Sequence, residues 1–542
     1  MNKIRYLFPG LCMLFALLLF GCGEGEKNAD KASAKAQESE ASAVDLPEDA
    51  KTIRVFDKNM SGVSFDDAVA KQIMEKTGVR IEIMDATDDP EGKLEQMLGD
   101  KSYPDVILME QGELVNRYIE AGAFIALDDL IERDGPDIKD MYGEILNRSE
   151  YTDGKLYWLA NWYGADYDAS AGVLMRRDLL SEIVGSKRAN SSEPFTLSEY
   201  TEILRQFKEK YPLLEGQKSV ALELDSDSEN YLPSLLGMFG MKTYLVDEED
   251  NCHYNPTTDS YKEALLYLNS LYREGLLDKE WVINKNERWE EKLSGGYVFS
   301  VWCSYWDTDT VNQKLLEKYG KSNGFYCYKV VADDLSADQT TYNGRNSLGW
   351  DAIGITENCE EPEAAMKVLN YLASEEGQYL LLWGVEGETW DNTGGLHTPR
   401  ESFLESWRED DEKTSEETGA RRWKWMIKNG SGTDGTPYDL TSKYVPKETV
   451  TFANKSIADT DYWDTALFSG LEPTANSALG LKWEQILELY KKQSARIICA
   501  ADEKEAETLY GRMLEDMELL GLSECEAYIT EQYKERLSKW NK

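Results

Sequence analysis

The chain has 542 residues and carries 101 Asp and Glu against 59 Lys and Arg, a formal charge of -42 spread along its length. This balance excludes nucleic-acid binding, which needs a basic footprint, and docking of the folded body on anionic lipid. Hydrophobic residues make up 41% and aromatic residues 11%, with 31 Tyr and 15 Trp beside only two His, so a core can form and rings remain to line a site.

The first segment has the plan of a secretory signal: Met1-Asn2-Lys3-Ile4-Arg5, a short apolar run, then Leu19-Phe20-Gly21-Cys22. The apolar run is shorter than the ~20 residues that cross a bilayer. The ending resembles the lipobox of bacterial lipoproteins. That resemblance implies a signal peptide at residues 1–21, acylation of Cys22 (diacyl, palmitate-type chains) and a place on the extracellular face of the cell membrane. Residues 22–50 are rich in Ala, Ser, Glu, Lys and Gly and lack aromatics. They cannot bury enough apolar surface to offset their ordering entropy and are expected to form a tether. About 490 residues follow, enough for two large lobes or three domains at ~100–200 residues each.

Residues 51–56 and 79–83 alternate polar and apolar, which predicts strands. A helix at 64–77 lies between them and stops at Gly78. Residues 92–98 predict a helix. Residues 103–109 form a continuous apolar strand of the kind buried in a parallel sheet, and helices follow at 116–121 and 127–132. This alternation predicts a doubly wound α/β unit. Asp153-Gly154 within residues 151–158 predicts a hairpin. Residues 172–178 read as a strand running into a helix. Thr196-Leu197-Ser198-Glu199 reads as a capping box opening a helix to about residue 210. Residues 259–276 predict a helix, 297–302 and 348–355 strands, and 362–372 a helix with Pro in its first turn. Residues 405–418 are a charge-rich insert, and 421–429 read as helical. The C-terminal part predicts helices at 475–500, 503–519 and 523–540.

The order of several motifs is similar to that of the extracellular solute-binding proteins of bacterial ABC importers. It is closest to a branch of large sugar-binding lipoproteins in Gram-positive bacteria. Asp105-Val106-Ile107 is followed by Tyr118-Ile119-Glu120-Ala121-Gly122-Ala123-Phe124-Ile125-Ala126-Leu127-Asp128. Asp153-Gly154-Lys155-Leu156-Tyr157 precedes Met175-Arg176-Arg177-Asp178-Leu179-Leu180. Gly275-Leu276-Leu277-Asp278, Pro362-Glu363-Ala364-Ala365, Ser374-Glu375-Glu376-Gly377 and Gly384-Val385-Glu386-Gly387-Glu388-Thr389-Trp390 complete the series. The resemblance implies a two-lobed periplasmic-binding-protein-like (type 2) α/β fold with a ligand cleft between the lobes and a helical C-terminal part. It implies a first lobe of residues 51–160 plus 350–400 and a second of 161–349 plus 401–542. Crossings are expected near 159–165, 346–352 and 395–420. The implied partners are a carbohydrate, read as an oligosaccharide, and the permease of an ABC importer, with the protein itself a monomer.

Sugar recognition needs flat apolar surfaces for pyranose C–H faces and fixed polar groups for hydroxyls. Trp302, Tyr305 and Trp306 cluster at the end of a predicted strand, where alternation would send Trp302 and Trp306 to one face. Trp162 and Tyr163 lie at the first crossover, Trp350 and Asp351 at the second. Glu110 and Asp57 end strands, the favoured place for ligands in open α/β sheets, and Trp390 follows a Gly-rich turn. Each has a structural alternative in core packing, a hinge or an ion pair. Gly430-Ser431-Gly432-Thr433-Asp434-Gly435 fits a dinucleotide fingerprint only in letters, because Pro437 follows it and no strand is expected before it. Residues 225–230 are oxygen-rich but lack EF-hand spacing. His253 and His397 are too far apart for an HExxH site. No metal, cofactor or catalytic residue is expected. A glycoside hydrolase, which needs two carboxylates across a bond, and a module presenting solute to a sensor are the alternatives. Cys252, Cys303, Cys327, Cys359, Cys499 and Cys525 form no CxxC pair, and the sequence leaves their pairing open.

Overall fold

A computed structural model of the chain describes residues 46–87, 89–164, 170–226, 229–320 and 323–540. Cys22 and the signal lie outside the described residues, as does nearly all of the expected tether.

Two sheets organise the body. The first runs in the order Arg80–Met84, Thr52–Asp57, Val106–Glu110, Asp351–Ile355 and Leu159–Ala160. Its first three strands are parallel, and Asp351–Ile355 is antiparallel to both of its neighbours. Val106 to Met109 are all buried, as a strand covered on both faces requires. Ile53, Val55, Ile81, Val106 and Leu108 pack on one face, while Phe56, Ile107, Met109 and Ala352 pack on the other. The second sheet runs in the order Val220–Glu223, Val298–Trp302, Val173–Arg176 and Phe325–Tyr328, with only the first pair parallel. It anchors a separate core, against which the helices Leu197–Lys210 and Asp259–Glu274 and the C-terminal helices Ala478–Ile498, Glu503–Leu520 and Leu522–Trp540 are packed.

Local signals explain the element ends. Asp67 caps Ala68–Thr77 by accepting from the Ala70 N–H. Thr196 and Glu199 make both bonds of the capping box, at 3.1 and 3.0 Å. Among the described residues no helix is long and apolar enough to cross a membrane.

Three expectations are corrected. Residues 151–158 make the Asp-Gly turn, with the Gly154 N–H donating to the Tyr151 carbonyl at 2.9 Å, but no hairpin strands flank it. Leu156 instead accepts from the Leu127 N–H at 2.7 Å. Residues 421–429 are not helical: they make tight turns and the short strand Ile427–Lys428, parallel to Trp162–Tyr163. The third crossing is not at 395–420. Phe403, Leu404, Trp407, Trp423, Trp425 and Leu440 are buried with the first core, and the second core resumes only at Ala453. The assignment of residues 401–445 to the second lobe therefore fails; Phe403 and Leu404, just before the charge-rich insert, and Trp407 within it tie this stretch to the first. The insert itself forms two helices, Glu401–Glu409 and Asp411–Thr418.

Candidate functional site

A cavity of about 1450 Å³ lies between these two cores and draws its lining from both. The first wall stands at the ends of the first sheet. Glu110 and Gln111 follow Val106–Glu110, Trp350 precedes Asp351–Ile355, and Trp162 comes from the first crossing. This is where open α/β sheets place ligands, beyond the strand ends. Gln111 fixes the second crossing, donating from its side chain to the Leu348 carbonyl at 2.6 Å and from its backbone to the Trp350 carbonyl at 3.0 Å. Trp162 and Trp350 stack at 5.3 Å with 27° between planes. Trp162 is buried and held by Nε1–H donating to Asn429 Oδ1 at 2.8 Å. Trp350 is 43% exposed and offers a flat apolar face to the cavity.

The opposite wall rises from Val298–Trp302. A turn at Tyr305–Thr308 is held by the Asp307 carboxylate, which accepts the Ser304 N–H at 3.0 Å, and by the Ser304 hydroxyl, which donates to the Ser170 carbonyl. Burial pushes the Asp307 carboxyl up to about 6. Tyr305 and Trp306 meet edge to face at 5.0 Å, and Trp306 is 46% exposed. Trp463, Trp483 and Trp540 add further indoles. The Arg148 guanidinium lies 5.0 Å from the Trp540 ring centroid and pairs with Asp464 at 3.2 Å.

Charge in the cavity does not follow the charge of the chain. Its described lining holds Arg148, Arg345, Arg421, Lys424 and Arg536 against Glu110, Glu113, Glu150, Glu472 and Glu484. Five against five is a parity that the whole sequence, with 101 acids to 59 bases, does not have. Among the described residues no group of three His, Cys, Asp or Glu is placed to hold a metal ion.

Residues 58–300 match the family described as "Bacterial extracellular solute-binding protein". That stretch is under half of the chain, and over it the chain is similar to this family. The polygalacturonan/rhamnogalacturonan-binding protein YtcQ of Bacillus subtilis (strain 168) is 21% identical over 419 residues, covering 76% of this chain and 78% of YtcQ. Lipoprotein LipO of the same organism is 21% identical over 338 residues, 56% of this chain and 62% of LipO. Among solved structures, an extracellular solute-binding protein from Bifidobacterium longum subsp. infantis superposes with a TM-score of 0.68 at 17% identity, over 92% of this chain and 100% of that one. The two-lobed α/β fold is thereby shown.

Of the residues expected from sequence, Glu110, Trp162, Tyr305, Trp306 and Trp350 line the cavity. Five others do not. Trp302 is 1% exposed and donates to the Tyr200 hydroxyl at 3.1 Å; the chain turns after the strand, so alternation does not carry through to Trp306. Tyr163 is buried and stacked on Tyr142 at 3.7 Å. Trp390 packs against Tyr379, Trp383 and His397 and donates to the Gly384 carbonyl at 2.8 Å. Asp57 is buried, accepting from Trp425 Nε1 at 2.7 Å and from the Asn59 N–H at 2.9 Å. Burial raises its carboxyl above the usual range. Asp351 is buried against Lys58 at 2.9 Å and Asn59 at 2.8 Å. Both carboxylates hold strand ends in place and have no free edge for a sugar hydroxyl. Sequence reasoning missed Arg148, Arg421, Lys424, Trp463 and Trp540. The alternation Trp423-Lys424-Trp425 was the available signal, since it opposes a helix over that stretch.

Proposed function

We propose that this chain is a solute-binding protein that captures a carbohydrate, an oligosaccharide rather than a single sugar, between its two lobes and delivers it to the permease of an ABC importer. The observation that carries this reading is the cavity. Its about 1450 Å³ exceed the ~300–1,000 Å³ of ordinary small-molecule sites, and its exposed indoles, Trp350 and Trp306, come from opposite walls. A ligand stacked on both meets both lobes only when the cleft is shut, so it favours the shut state. The hinge we propose includes the crossings near 342–348 and 445–453. The protein acts as a monomer, makes and breaks no bond, and is moored outside the cell by lipid on Cys22; the likeness to LipO supports the mooring.

A thermal-shift screen of mono- and oligosaccharides tests the reading. A ligand at ~100 times its Kd should add ~2.7 kcal/mol to stability. A complete lack of hits sinks carbohydrate capture, and release of new reducing ends from a hit shows a hydrolase instead. Cys22→Ser should move the protein from the membrane fraction to the medium.

A further inference from the structure

Lys424 occupies an unusual position. The Trp425 N–H donates to the Trp423 carbonyl at 2.9 Å, which closes a three-residue turn with Lys424 at its apex. Both flanking indoles point into the first core and are tied there. Trp423 Nε1 donates to Asp67 at 2.8 Å and Trp425 Nε1 to Asp57 at 2.7 Å, and the Trp425 ring stacks on Phe65 at 5.3 Å. Non-glycine residues in the left-handed region bracket the turn, Arg421 at φ 61° and Met426 at φ 56°. Such backbone persists only where its surroundings over-determine it, and it concentrates at ligand clamps. The turn presents Lys424, exposed, to the cavity that also holds the Trp162–Trp350 stack. Arg421 lies 5.9 Å from the Trp162 ring centroid and is paired with Asp439. Lys424 forms no ion pair or hydrogen bond with any described residue.

We propose that Lys424 is the carboxylate-recognising residue of the site, and that the ligand is an acidic oligosaccharide whose uronate group meets this ammonium while a sugar ring lies on Trp350. This rests on the carbohydrate-capture reading above. A neutral sugar would leave a cation, on a turn fixed by two anchored indoles, without a directly paired carboxylate in a chain where acids outnumber bases by 101 to 59. Removal from water and the charge of Arg421 hold the Lys424 ammonium below the ordinary lysine value, with Asp57 partly offsetting them. A bound carboxylate offsets these costs, since an opposite charge favours the ionised form. Lysine suits the task as a compact point charge on a flexible stem.

The test is calorimetric titration of the purified protein with a panel of oligouronates and with the same oligosaccharides after reduction of each carboxylate to a hydroxymethyl group. The expected result is at least tenfold tighter binding of one acidic member than of its reduced form. Lys424→Met should abolish that preference while changing affinity for the reduced form less than twofold and leaving the melting temperature in place. Trp350→Ala should weaken both forms together. Equal affinity for the acidic and reduced forms, or an equal loss of both in Lys424→Met, overturns the inference and leaves carbohydrate capture standing. Failure of every sugar, acidic and neutral, overturns the capture reading and this inference with it.

Discussion

Trp302 and Trp306 stand four residues apart and have opposite roles. Trp302 closes a strand inside the second core; Trp306 lies in the turn that follows and faces the cavity. Trp302→Ala is therefore expected to cost ~3–5 kcal/mol of stability, read by denaturant melts. Trp306→Ala should leave the melts unchanged and weaken carbohydrate binding about tenfold, ~1.4 kcal/mol, read by titration. The reverse pattern would show that the cavity wall has been assigned to the wrong indole. The same turn carries a pH signature. The Asp307 carboxyl, held at about 6 by burial, keeps a proton that the unfolded chain has already released at its ordinary value of 3.8. Stability contributed by the protonated group is thus present at low pH and falls as pH rises through this window. Asp307→Asn removes the titration while keeping an acceptor for Ser304. The melting temperature of the unsubstituted protein should drop relative to the variant between about pH 4 and 6, and parallel profiles would refute this.

At the scale of elements, the second crossing is the sensitive part. Gly349 has φ 68°, and a Cβ there would strike the Trp162 carbonyl oxygen. Gly349→Ala should lose ~1–2 kcal/mol for the left-handed backbone alone. It should also displace Trp350, lowering the melting temperature and the sugar affinity together. Retention of both would show that the crossings slide freely past one another. Elements built from local chemistry were legible in the sequence. Two parallel strands announced themselves by polar–apolar alternation and a third by an apolar run, and Thr196 with Glu199 by its spacing. Elements fixed by distant partners were not. Residues 421–429 carry apolar spacing that suits a helix, yet Trp423 is bonded to Asp67, 356 positions away in the chain, and no window of sequence contains that bond. The third crossing was hidden for the same reason: Trp407 read as part of a charge-rich insert, and only the buried first core gives it and the nearby Phe403 somewhere to go. At the site, the exposed indoles at strand ends were legible, whereas the cations brought in by the misread turn were not.

Across the whole molecule, all six cysteines among the described residues are free. Burial pushes the Cys252 and Cys327 thiols up to about 12, which leaves little thiolate to react. A thiol reductant should therefore leave the melting temperature unchanged, and free-thiol titration of the denatured chain should count these six; a drop in melting temperature would reveal a covalent staple.

The surplus of negative charge also governs how the clamp meets its cargo. An acidic sugar drifting in from the medium would first feel a like-charged body and only at the last few ångströms the lone ammonium of Lys424. Dissolved salt shortens the reach of that outer repulsion to a Debye length of ~10 Å at 0.1 M, while the final contact, sheltered within the cavity wall, is screened less. Capture would then quicken as the surroundings become more saline, the inverse of the slowing expected when opposite charges steer an encounter.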